Sequence, residues 1–149
     1  MHNLKKFNGT YKGMIGECMF KLTRDKTILM KCFNKNKYLT IFSKHFTIPQ
    51  KEFIQRNWHS LDAIEISYNK GKEIKLFEIK TKNEYRKKLG FKLKITQSTA
   101  NLYEYAKKIW FKVIVATVHM HNNWNYSITL TDFNLLHYCI DKPKVYDKN

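Results

Sequence analysis

The chain lacks what would tie it to a membrane or a secretory route. It contains no apolar run of about 20 residues to span a bilayer and no basic segment leading into an apolar signal core, so the expectation is a soluble, intracellular protein with no membrane partner. Cysteine is scarce. Cys18, Cys32 and Cys139 are odd in number and far apart, which argues against a disulfide framework or a zinc knuckle and predicts reduced, mostly packed thiols. Histidine does not fill that gap: His119 and His121 stand two apart without a second close Cys/His pair, and His45 and His59 are isolated. Acidic charge is the most conspicuous shortage, with 12 Asp and Glu against 28 Lys and Arg and a formal net charge of +16. Such an excess favours a phosphate-rich partner, DNA or RNA, and its placement along the chain carries more weight than its total.

Linkers and repeats are absent as well. The 149 residues are therefore expected to form a single domain over 1–149 that ends in a short polar tail. Met14, Ile15, Cys18, Met19 and Leu22 recur at helical spacing and predict a helix over 14–23. Residues 27–33 and 38–42 read as strands around the turn Asn34-Lys35-Asn36-Lys37, and Pro49 opens a helical turn carrying Phe53 and Ile54. Two more strands, 61–68 and 74–81, flank Asn69-Lys70-Gly71-Lys72 and predict a hairpin. Ser98 is placed to cap a helix running to Trp110 with Leu102, Ala106, Ile109 and Trp110 inward. Val113-Ile114-Val115-Ala116 reads as a central strand, and 124–130 alternates as another. The sum is an α/β domain with a mixed sheet.

Strand parity locates the chemistry. Glu78 and Lys80 fall on one face of their strand while Phe77 and Ile79 fall on the other, so charged groups line a pocket as their neighbours enter the core. Antiparallel pairing across the hairpin brings Asp62 beside Glu78 and Lys80, since paired strands lie about 5 Å apart. Two carboxylates so placed repel each other and lose hydration, penalties that a divalent cation offsets. Oxygen donors and phosphodiester substrates favour Mg²⁺, with Mn²⁺ as its substitute. Glu65 has the opposite parity and is expected to be structural or exposed.

With Asp62, the run Glu78-Ile79-Lys80, Gly16-Glu17 on the first helix and a helix after a basic loop, the chain resembles the PD-(D/E)XK nuclease superfamily across residues 13–118. Leu61 stands where members usually carry proline. The resemblance implies a restriction-endonuclease-like αβββαβ core with a central mixed sheet flanked by helices. It also implies metal-dependent phosphodiester hydrolysis that leaves a 5′-phosphate and a 3′-hydroxyl. By the same resemblance Asp62 and Glu78 hold metal, helped by Glu17 and the backbone carbonyl of Ile79. Lys80 positions water or stabilises the transition state. Gln97 corresponds to the polar residue that many members carry before the second core helix.

The segment from Lys80 to Lys94 carries seven Lys or Arg and one Glu. Lys82, Arg86, Lys87, Lys88, Lys92 and Lys94 are placed to grip phosphates, with Arg86 the best bidentate clamp, while Tyr85 or Phe91 stacks on a distorted or unpaired base. The expectation is thus a Mg²⁺-dependent DNA endonuclease, with a branched-DNA (Holliday-junction) resolvase as a subtype and a homodimer left open. The alternatives are an RNA endonuclease, a non-catalytic nucleic-acid-binding domain, and a subunit whose active site sits on a partner.

Overall fold

A computed structural model describes residues 9–83, 93–121, 125–133 and 138–141. Helix α1 (Gly9–Thr23) leads into a short strand β1 (Ile28–Leu29), then helices α2 (Lys35–Phe42) and α3 (Ile48–Asn57). Strands β2 (Ala63–Ser67) and β3 (Glu73–Asn83) form the predicted antiparallel hairpin, with Ala63 opposite Phe77 and Ser67 opposite Glu73. After β4 (Leu93–Thr96) come helix α4 (Gln97–Lys108), β5 (Lys112–Met120), β6 (Tyr126–Asp132) and β7 (Tyr138–Asp141). The main sheet is mixed, in the order β1-β2-β3-β5-β6, with β5 parallel to β3 and the other pairs antiparallel. β4 and β7 form a separate parallel pair, so the expected polar tail contributes a strand before residues 142–149, which lie outside the described set.

Apolar residues of alternate parity give the sheet two buried faces. Ile64, Leu76, Val113 and Val115 meet Tyr38, Phe53, Ile54, Trp58 and Tyr103 in the larger core beneath α2, α3 and α4. Ala63, Phe77, Ile79, Ala116 and Val118 meet Phe20 of α1 on the other face. The second layer sits close. A Cβ at Gly16 would lie 1.8 Å from Thr81 Oγ1, so only glycine lets α1 approach β3 this tightly. Arg24, just beyond α1, pairs with buried Glu65 at 2.6 Å and lies over the Phe77 ring at 5.0 Å, which makes Glu65 structural. Among the described residues no helix is long and apolar enough to cross a membrane.

Several sequence expectations are corrected. Residues 38–42 belong to helix α2: Asn34 caps it by accepting from the Lys37 amide at 3.0 Å, and Tyr38 and Phe42, one turn apart, stack at 4.6 Å. Of 27–33 only Ile28–Leu29 is strand, and a 3₁₀ turn over Met30–Cys32 follows. Thr96, rather than Ser98, caps α4, accepting from the Thr99 amide. Cys18 and Cys32 are exposed free thiols, not packed ones. Trp110 does not pack beneath the sheet; it is 85% exposed with φ of 77°. The amide of Phe111 bonds the Ala106 carbonyl at 3.1 Å and that of Trp110 bonds the Lys107 carbonyl at 3.2 Å. This is the paired bonding that ends a helix through a left-handed residue, usually glycine.

Two outcomes follow. Trp110→Gly is expected to raise stability in urea denaturation by about 1 kcal/mol, because an L-residue in that conformation carries roughly that cost. Gly16→Ala is expected to lose about 1–3 kcal/mol by overpacking although alanine is the better helix former, and Thr81→Ala in the same chain recovers part of the loss. A Gly16→Ala protein as stable as wild type would remove this account of the helix-to-sheet contact.

Candidate active site

The hairpin register builds the site. Asp62 immediately precedes β2, and carrying the register one step beyond the Ala63–Phe77 pair sets it across from Glu78. Its Oδ2 accepts the backbone N–H of Ile79 at 2.8 Å. In a strand, N–H and C=O of one residue project to the same edge, so the Ile79 carbonyl is directed to the side where Asp62 lies, while its side chain stays in the core under α1. Glu78 is buried and points toward α4, where the Tyr103 hydroxyl donates to its Oε2. Lys80, two residues along on the same face, places Nζ 3.3 Å from Glu78 Oε1.

Glu17 joins from the helix on the opposite face. Its Oε1 lies 3.2 Å from Lys31 Nζ, which projects from the 3₁₀ turn after β1. Both residues act electrostatically on Asp62. Three carboxylates thus gather with two lysines, and the balance shows at Asp62: burial foremost, and then the charge of Glu78, pushes its pKa up to about 7 against the lowering effect of the Ile79 amide. The Lys31 pKa is raised, first by its hydrogen bond to Glu17 and then by that residue's charge. Tyr103 is also held well above the ordinary tyrosine range, by burial and then by the Glu78 charge, so it stays a hydrogen-bond donor.

The structure therefore gathers Glu17, Asp62, Glu78 and Lys80 around one strand end. Lys82 continues the Glu78–Lys80 row of alternate residues at the end of β3, in register with His119. Gln97 is exposed and donates to Asn101 one turn along α4 at 2.9 Å. Lys94 falls in β4. Tyr85, Arg86, Lys87, Lys88, Phe91 and Lys92 lie outside the described residues. Sequence reasoning missed Tyr103 and Lys31. Ala100, Tyr103 and Ala106, spaced by three, are the fully buried row of α4, and that spacing is the signal that marks Tyr103 as inward. Nothing local marks Lys31.

Among the described residues no three His, Cys, Asp or Glu side chains form a metal cage. Mg²⁺ takes one or two carboxylates and fills its remaining positions with water and substrate oxygens; Asp62, Glu78 and the Ile79 carbonyl are the groups here that could supply such donors. Three described histidines have other partners: His45 Nδ1 meets the Tyr68 hydroxyl, and His119 and His121 bond Thr129 and Ser127 at 3.1 and 2.9 Å. Comparison of the chain with known protein families and with curated proteins finds no match in either.

The raised Asp62 pKa has a defined effect on stability. Between pH 4 and 7 the unfolded chain has ionised this carboxyl while the folded chain still binds its proton, so metal-free stability falls as pH rises across that window and levels off above it. The contribution is roughly 2–4 kcal/mol. Asp62→Asn removes it. In EDTA, the variant's stability relative to wild type is expected to rise between pH 5 and pH 8 in urea titrations; a pH-independent difference would refute the assignment.

Proposed function

We propose that the chain is a Mg²⁺-dependent endonuclease that hydrolyses DNA phosphodiester bonds, of the PD-(D/E)XK kind. The observation that carries the reading is the convergence of Asp62 and Glu78, with Lys80 beside them and Glu17 behind, in a protein of net charge +16. The order supports it once α2, α3 and β4, which pairs with β7 outside the main sheet, are set aside: α1, β1, β2, β3, α4 and β5 run as helix, three strands, helix, strand, with β1-β2-β3 antiparallel and β5 parallel to β3. Helices α2 and α3 are then an insertion between the first two core strands.

In this reading Asp62, Glu78 and the Ile79 carbonyl hold the metal, and Glu17 reinforces the negative field. Bound there, Mg²⁺ supplies Lewis acidity that lowers the pKa of a water and neutralises charge developing on phosphate. The side chains have distinct tasks. Tyr103 fixes the Glu78 carboxylate by donating to one oxygen, and the Ile79 amide fixes Asp62. Lys80 holds a water by hydrogen bonding or stabilises the charge on the attacked phosphate. Lys31, paired with Glu17, adds a second cation that would help attract an anionic strand. Branched DNA is the substrate subtype proposed, because the resemblance extends to Holliday-junction resolvases.

The test compares wild type with Asp62→Ala, Glu78→Gln and Lys80→Ala on linear duplex, branched DNA and single-stranded RNA, with and without Mg²⁺. Cleavage is expected on DNA only with metal and to fall at least about a hundredfold in each variant, the scale of losing one preorganised group. DNA binding should survive and weaken steeply with salt. Mg²⁺ should raise the melting temperature of wild type but not of Asp62→Ala, a readout independent of turnover. Glu78→Gln cutting as well as wild type would sink the site, and preferred cutting of RNA would move the substrate class.

A further inference from the structure

Beside the carboxylates lies a cleft of about 450 Å³ to which no part of the mechanism above assigns a role. Its volume falls within the span of small-ligand sites, roughly 300–1,000 Å³. Phe33 is the partly exposed part of its apolar wall, with buried Met30 and Trp58 behind it, and Lys31, Lys35 and Asn36 also line it. Chain continuity ties it to the proposed site at two points. The Met30 amide bonds the Asp62 carbonyl at 3.0 Å, and the 3₁₀ turn Trp58–Ser60 runs through Leu61 into Asp62. Lys31 belongs to both, lining the cleft while its Nζ pairs with Glu17 at 3.2 Å.

We propose that this cleft receives one unpaired base of the DNA strand, next to the phosphate that is cut. The inference rests on the nuclease reading and names the substrate feature which that site selects. Phe33 is half-buried and held edge-on by Tyr38 at 5.9 Å, and Tyr38 packs on Trp58 at 5.5 Å, so the ring is fixed in place before a ligand arrives. A preset, partly exposed aromatic beside cations is the arrangement on which bases stack while the backbone is gripped. The amide of Asn36 offers a donor and an acceptor for a base edge. A bare phosphate would use the lysines but gain nothing from the apolar wall. A base still paired and stacked in a duplex cannot enter a concave site without leaving its stack. Strands carrying an unpaired nucleotide, as at a junction or bulge, are therefore favoured.

The test measures binding in EDTA, by fluorescence anisotropy, to a short single-stranded DNA and to copies in which each nucleotide in turn is abasic. One abasic position is expected to weaken wild-type binding about tenfold, the scale of one lost base-aromatic stack. That penalty should vanish in Phe33→Ala, checked for folding by circular dichroism, and in Asn36→Ala, an exposed position where folding is not at stake. Lys35→Ala should weaken all the oligonucleotides alike. The proposal is overturned if no abasic position matters, or if the penalty persists in both the Phe33 and Asn36 variants. Parallel assays with Mg²⁺ separate the two readings. Cleavage without any abasic penalty sinks the cleft and leaves the nuclease. An abasic penalty with no cleavage of any substrate leaves a base-binding cleft and removes the nuclease.

Discussion

Asp62 and Glu78 stand opposite each other because the β2–β3 register puts them there, and much of the local structure answers the cost of that placement. The charge of Glu78, and more weakly that of Glu17, adds to burial in opposing the ionisation of Asp62. The chain supplies partial compensation: the Ile79 amide to Asp62, the Tyr103 hydroxyl and Lys80 to Glu78, and Lys31 to Glu17. It does not complete the compensation, as the displacement of Asp62 toward neutrality shows. Strongly shifted groups of this kind cluster at functional sites.

The two acidic residues at opposite ends of the same short stretch make the contrast plain. Glu65 differs from Asp62 in parity and so enters the face under α1, where Arg24 closes on it at 2.6 Å and stacks on Phe77. It has its own counter-charge and serves packing. Asp62 meets an amide and another acid. Gly16 matters to both, because the close approach of α1 to Thr81 holds the neighbouring Glu17 where its charge acts on Asp62 while α1 covers the Phe77–Ile79 face.

The hairpin, α1, α4 and β5 were legible because alternation, helical spacing and a glycine-bearing turn are local signals, and the site acids follow from parity once the hairpin is in place. Residues 38–42 were misread because Tyr38, Ile41 and Phe42 suit a strand by composition; the stronger signals were Asn34 as a cap and the one-turn spacing of the two aromatics. Trp110 was misread because hydrophobicity suggested burial, whereas helix termination through a left-handed residue turns its side chain outward. Lys31 could not have been found, since its meeting with Glu17 depends on how β1 docks against β2 and how α1 crosses the sheet.

In the proposed reading the topology also divides labour between core and insertion. The β2–β3 hairpin positions the acids, while Met30, Lys31 and Phe33, the first turn of α2 and Trp58 after α3 supply the cleft, and both of its flanks lead to Asp62. In the proposed reading the opposed charges then act in sequence rather than against each other. The basic surface draws a polyanion from a distance, where net charge governs, and the local acidic cluster resists the bare phosphate until a divalent cation offsets it. A base in the neighbouring cleft would fix which phosphate reaches that point, so selectivity would come from the insertion and reactivity from the sheet.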